Sequence, residues 1–462
     1  MRSLDTDAML SFTANLKFDD LPQAVVERAS ALMVDFMGSV FAGAASHQTR
    51  VLSELARAMG PSTGRAAVLP TGEWSSPLFA SLVNGASAHV VEQDDVHNGS
   101  VVHPGATVLP AALATAQDLQ CSGQDLVLAM VVGYEVAIRV GRFLGTSHYR
   151  VFHTSGTAGT VGAALSSAKL LGLDEAGMRN ALGNAGTQAA GLWEFLRDAA
   201  DSKQLHTGKA GADGIVAAYG ARMGLKGAHQ ILEGAQGMAA GMSDNPNPRA
   251  LSRGLGRDWA ILETSVKFHA SCRHTHPTAD ALLSVLTENH IDWHHIASVR
   301  ARVHQAAVDV LKPAQAAATV HQAKFSMPFV LALIAVRGRA SIADFHEQSL
   351  SDPAIRAFMK RVDMVFDPEV EEQYPERWIG RVEVVGDDGH QFEGRADYPL
   401  GDPENFLSHE QLIDKFRRLA AFGGFTDTEG IEKLVHDLEN ITDIANVRAL
   451  DLPHPPTRLV IS

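Results

Sequence analysis

Two cysteines, Cys121 and Cys272, are all that the 462 residues contain. They are too few and too far apart to build a disulfide framework or a zinc ribbon, which points to a reduced, cytoplasmic setting. Positive charge is also short. Lys+Arg number 39 against 53 Asp+Glu, a formal net charge of −14. Nucleic acid and anionic membrane surfaces need a basic footprint, so neither is an expected partner. A local cluster of cations can still hold a small anion inside an acidic protein. Long apolar runs are missing as well. The longest uncharged apolar stretch, Phe325 to Val336, is closed by Lys324 and Arg337, and a membrane span needs ~20 residues. The opening MRSLDTDAMLSF carries acids where a signal peptide has its apolar core. No internal repeat, low-complexity tract or charge block stands out. The composition, 45% hydrophobic and 20% charged, is that of a globular chain. At ~100–200 residues per domain it supplies two or three domains.

Residues 1 to about 265 read as helical. PQAVVERASALMVDFMGSVFAG has apolar positions at helical spacing, with Gly43 as a stop. SPLFASLVNGASAHVV, ATVLPAALATAQDL, GQDLVLAMVVGYEVAIRVGRFLG and SGTAGTVGAALSSAKLLGL follow. Their many alanines and glycines predict closely approaching helix axes in a compact bundle. After 265 the pattern changes. ASVRARVHQAAV alternates as a strand around Val299, Ala301 and Val303. RWIGRVEVVGDDGHQFEGRAD reads as a hairpin turning at Asp387 to Gly389. Helical ADALLSVLTEN and SMPFVLALIAV lie between them. The tail, 408–448, returns to helix, with Ser408 and Gln411 placed as a capping box. The expected fold is mainly α. An all-helical domain spans 1–266 and 405–462, and a smaller α+β lid domain spans 267–404.

Four segments place ionisable groups beside Gly or Pro, where chains turn into pockets. EQDDVHNGSVVHPGA packs Glu92, Asp94, Asp95, His97 and His103 into twelve residues. A carboxylate can act there as general base and a histidine as general acid. A metal set (Asp94, Asp95, His97, His103) matches no compact ligand spacing, so no metal is expected. YRVFHTSGTAGTVGAA sets His153 before a helix start with Thr154 or Ser155 as cap. Gly156, Gly159 and Gly162 recur every third residue. With no preceding strand and no Lys-Ser/Thr, they predict helix packing and not a phosphate loop. DAADSKQLHTGKAGADG puts Lys203 and His206 on one helix face. SVKFHASCRHTHPTAD is the densest cationic patch, with Lys267, His269, Cys272, Arg273, His274 and His276. Arginine binds a carboxylate bidentately and lysine adds a point charge. Together these groups suit proton abstraction next to a carboxylate, where the developing enediolate charge must meet preorganised cations and N–H donors. A non-catalytic carboxylate-binding protein is the alternative from another class.

HPGATVLPAALA, FHTSGTAGTVGAALSSAKLLGL, KQLHTGKAGADG and KFHASCRHTHPTADALL, followed by AKFSMPFVLALIA, resemble in order the sequence of the MmgE/PrpD family. That family includes 2-methylcitrate dehydratases, cis-aconitate decarboxylases and an iminodisuccinate epimerase. The resemblance implies a helical domain with an α+β lid, a homodimer, and a cofactor-free active site between the domains. The family's pocket histidines fall on His103 and His153, and its lysines on Lys203 and Lys267. Its Asp-Phe-Asp-Asp-Thr run falls on Glu92, Gln93, Asp94, Asp95 and Val96, so the first acid is longer and the threonine hydroxyl is gone. The loop from there to His103 is one residue longer than in the decarboxylases. Their histidine five residues after the lid lysine is here Cys272, and a pocket tyrosine is replaced by Phe329. The implied activity is a cofactor-independent hydro-lyase acting on a small di- or tricarboxylate, like a 2-methylcitrate dehydratase. Catalysis falls to Glu92, Asp94, His103, His153 and Lys203, and substrate binding to Lys267, Cys272 and Arg273. Glu92 or Asp94 is the expected base, with Lys203 as a rival. Epimerisation of an acidic substrate and decarboxylation are the alternatives.

Overall fold

The computed structural model describes residues 4–61, 63–197 and 200–455. The protein is mainly helical, with twenty α-helices and small sheets among the described residues. It divides into two compact units. One comprises Met1–Phe195, Asp201–Thr264 and Ser408–Ser462; the other comprises Leu196–Ala200 and Ser265–Leu407.

The first unit is a helical bundle whose main helices follow the sequence pattern: Gln23–Gly43, Pro77–Val90, Pro104–Leu119, Gly123–Tyr149, Thr154–Leu170 and Ser202–Arg222. Pro77 and Pro104 sit in the first helical turn, where the missing N–H costs nothing and φ is already set. The glycine triplet packs helices, as its spacing suggests. A Cβ on Gly162 would lie 2.6 Å from the Ala137 Cβ and 2.6 Å from the Gly133 carbonyl oxygen, and one on Gly159 would lie 2.8 Å from Thr107. The Thr154 helix thus presses against two neighbours at backbone distance. Neither Thr154 nor Ser155 caps it. His153 takes the cap position and its side chain makes no cap bond. Ser155 Oγ instead accepts the His103 backbone N–H at 3.0 Å. A short antiparallel pair, Ala66–Val68 with Glu73–Ser75, interrupts a region expected to be helical throughout. The His409–Phe422 helix belongs to this unit, with the Ser408/Gln411 capping box formed. No single helix among the described residues is long and apolar enough to cross a membrane.

The second unit is built on a four-stranded sheet in the order Val362–Phe366, Ile296–Val303, Gly380–Gly386, Gln391–Ala396. The first pair is parallel and the others antiparallel. Val299, Ala301 and Val303 face inward, as their alternation predicts. The strand stops at Val303 and does not run through HQAAV. His304 accepts the Ala307 N–H and starts a helix, Gln305–Leu311. The His276–Glu288 helix lies against the sheet so closely that a Cβ on Gly394 would meet the Ala281 carbonyl oxygen at 2.6 Å.

Candidate functional site

Glu92, Asp94, His103, His153 and Lys203 come together within the first unit, all of them buried. The Pro77–Val90 helix ends just before Glu92, which adopts a left-handed φ of 58°. A non-glycine residue held there costs free energy that surrounding contacts must offset. The offset is visible: the Glu92 carboxylate forms a buried ion pair with Lys203, on the first turn of the Ser202–Arg222 helix. Gln93 next to it is held from below. Lys415, on the C-terminal His409–Phe422 helix, donates to the Gln93 carbonyl at 2.7 Å and to Asp35 at 2.5 Å.

Asp94 is the hub of the cluster. Its Oδ2 lies 2.7 Å from His89 Nδ1 and 3.1 Å from His103 Nδ1. His103 Nδ1 is also 2.8 Å from the Asp95 carbonyl oxygen. A carbonyl only accepts, so that nitrogen carries a proton. The His89 ring stands 4.7 Å from His103 and stacks on His153 at 5.6 Å, with 22° between planes. His153 Nδ1 approaches His206 Nδ1 at 3.4 Å. Burial drives three of the four rings toward the neutral form: His89 and His206 are each lowered to about 4, and His153 falls well below the usual range. The charges of Lys203 and neighbouring rings add to the effect.

Asp95 does different work. Tyr134 donates to its Oδ2 at 2.7 Å and the Gly105 N–H to its Oδ1 at 2.8 Å. Burial pushes its carboxyl up to about 8, opposed by those two donors. A Cβ at Gly105 would sit 2.6 Å from Asp95 Oδ1, so glycine leaves room for the carboxyl at the start of the Pro104 helix. Asp95 thereby fastens the loop to the helix that carries His103.

Of the four residues weighed and set aside as a metal set, His97 turns to Ser100 and toward Glu263, and Asp95 to Tyr134. A different trio, His89, Asp94 and His103, brings one donor atom each to within 4.8 Å of one another. That spacing admits a cation, though the same atoms already make the imidazole–carboxylate contacts.

Lys267, Cys272 and Arg273 belong to the second unit. Lys267 is fully buried. The Arg273 guanidinium is ion-paired with Asp402 and lies 3.2 Å from His276 Nδ1, so its fork is already engaged. Cys272 is buried, and its N–H donates to the Lys324 carbonyl at 2.8 Å. Phe329 is buried in the Met327–Arg337 helix.

The sequence reading missed His89, Asp35, Tyr134 and Lys415. His89 was within reach, because it lies three residues before Glu92 and extends the same acid–histidine run. Lys415 and Tyr134 carry no local signal, since only the fold brings them to the loop.

Residues 7–251 match the MmgE/PrpD N-terminal domain and residues 269–440 the MmgE/PrpD C-terminal domain. The chain is 28% identical to a cis-aconitate decarboxylase of Homo sapiens, over 98% of this chain and 95% of the relative. It is 27% identical to one of Aspergillus terreus (95% and 94%) and 26% to one of Mus musculus (96% and 92%). With both domain models matched in order across most of its length, the chain belongs to the MmgE/PrpD family.

Proposed function

We propose that this protein is a cofactor-independent lyase acting on a small di- or tricarboxylate, and that it eliminates water by abstracting the proton next to a carboxylate. The observation that carries the reading is the buried acid–base cluster, in which Asp94 Oδ2 is shared by two imidazoles beside the Glu92–Lys203 pair. Dehydration needs a group to take the carbon-bound proton and a second to protonate the departing hydroxyl. Several imidazoles and carboxylates packed together supply both. In this reading His103 gives the proton to the hydroxyl, with His153 as its alternate. The Lys203 ammonium meets the charge that develops on the substrate carboxylate. Lys267 and Arg273 are carried as carboxylate anchors, Arg273 by exchanging Asp402 for the substrate carboxylate, and Cys272 as a neutral contact.

Decarboxylation is the second reading, favoured by the printed activity of the similar proteins. It needs no base: the C–C bond breaks, CO₂ leaves, and the electron pair left on carbon takes a proton. NMR assays with methylcitrate, citrate, cis-aconitate and iminodisuccinate separate the two. A new alkene without CO₂ supports dehydration, CO₂ release supports decarboxylation, and α-deuteration in D₂O with neither supports an epimerase. No turnover and saturable citrate binding would leave a binding protein. A cytoplasmic homodimer free of metal belongs to the same proposal. Light scattering giving the mass of one chain, or loss of turnover after EDTA, counts against it.

A further inference from the structure

His89 lies at the centre of the cluster, and neither the sequence motifs nor the expected site includes it. It is fully buried in the last turn of the Pro77–Val90 helix. Its Nδ1 faces Asp94 Oδ2 at 2.7 Å, and its Nε2 has no hydrogen-bond partner. A buried imidazole nitrogen without a partner is costly to keep in a folded protein, so it marks a place where a ligand atom is received. His153 Nε2, on the ring stacked against His89, is likewise without a partner. Two such nitrogens from facing rings make one polar spot within the cluster.

The tautomer follows from the partner. A carboxylate oxygen can only accept, so the Nδ1 of a neutral His89 carries the proton and its Nε2 carries the lone pair. The arrangement is a base oriented by a carboxylate. We propose that His89 is the group that removes the carbon-bound proton, with Asp94 as its positioning residue and not itself the base. This rests on the lyase reading and names its base. The C–H bond next to the substrate carboxylate breaks, the proton goes to His89 Nε2, and the electron pair enters the enediolate. The enediolate then re-forms the carboxylate and a C=C bond while the β-C–O bond breaks. The oxygen leaves as water with a proton from the doubly protonated His103.

The shared carboxylate gives the step a physical logic. Before it, Asp94 faces one cationic ring, His103; after it, Asp94 again faces one, His89. The buried charge is conserved while the proton moves across the site, which avoids exposing an unpaired carboxylate to a dry interior. Burial holds His89 neutral at the outset, and the charge on His103 is among the causes that lower it, so the proton that His103 gives up in the second half of the reaction relieves the His89 imidazolium formed in the first.

His89→Asn tests this directly. The asparagine amide can keep the donor to Asp94 but has no Nε2. The expected result is a kcat fall of ~10²-fold or more with KM little changed, together with loss of α-proton exchange in D₂O. Near wild-type kcat in a folded His89→Asn protein, with loss only in His89→Ala, would make His89 structural and overturn the proposal. Nitrogen-15 histidine NMR of the wild-type protein gives a second arm that needs no turnover and no stable variant. His89 should show a protonated Nδ1 and a bare Nε2 whose resonance shifts when citrate is added. A protonated Nε2, or one blind to citrate while His103 responds, overturns it equally. Absence of turnover on the whole substrate panel would fail the lyase reading and leave the NMR arm to decide whether His89 meets a carboxylate ligand.

Discussion

Glu92 and Lys203, 111 residues apart in the chain, meet as a buried ion pair, and the acid that makes it holds a left-handed backbone. Where the family resemblance places an aspartate, this chain has the longer carboxylate, and that carboxylate is committed to the lysine.

Breaking the pair from one side is expected to destabilise the fold. Glu92→Gln leaves a buried ammonium without its counter-charge, at a cost of about 3–5 kcal/mol in urea unfolding. The double variant Glu92→Gln/Lys203→Met should recover part of that loss. Additive effects in the cycle would mean that the two side chains are not coupled.

Lys203→Ala and His103→Ala are each expected to cut turnover by ~10²-fold or more, through lost charge stabilisation and lost proton delivery. Steady-state kinetics on the substrate identified by the NMR panel checks both. Cys272→Ser should leave the rate nearly unchanged, and abolition would point to a thiolate nucleophile instead.

Stability should depend on pH in two opposed ways. His89, His97, His148 and His206 are lowered to about 4 by burial, against an ordinary 6.5. Between those values the unfolded chain binds protons that the folded one does not, so their contribution grows as pH rises from about 4 to 6.5. Each group adds at most about 1.4 kcal/mol per pH unit. Asp95 runs the other way. Its carboxyl is raised to about 8 from 3.8, so the folded state keeps a proton the unfolded chain has lost, and its contribution falls as pH climbs through that window. Melting temperature should therefore climb from pH 4.5 to 6.5. Asp95→Asn should gain on the wild type from pH 5 to pH 8, and a constant difference would show that Asp95 titrates normally.

Gly162→Ala should cost about 1–3 kcal/mol by overpacking, since its new methyl meets both the Ala137 side chain and the Gly133 carbonyl. Thermal denaturation measures it.

Much of the architecture was legible because it is written in local periodicity. The Gln23–Gly43 helix stops at the expected glycine, and Val299, Ala301 and Val303 alternate inward as read. Periodicity carries no information about side-chain competition. His304 captures a backbone N–H and ends its strand early, and Ser155 spends its hydroxyl on His103 and not on its own helix. The residue types of the site were visible in four segments, but the pairing was not. Nothing local says that Lys203 will meet Glu92, that one oxygen of Asp94 will serve two rings, or that the Arg273 fork will be taken by Asp402.

The support beneath Gln93 comes from Lys415, more than three hundred residues downstream. On the ribosome, the segment bearing Glu92 and Asp94 is therefore synthesised long before the ammonium that braces it. The nascent polypeptide waits for the His409–Phe422 helix before the cluster is shored up, so a product clipped ahead of that helix should lose whatever activity the cluster supports, even with every acid and imidazole of it in place.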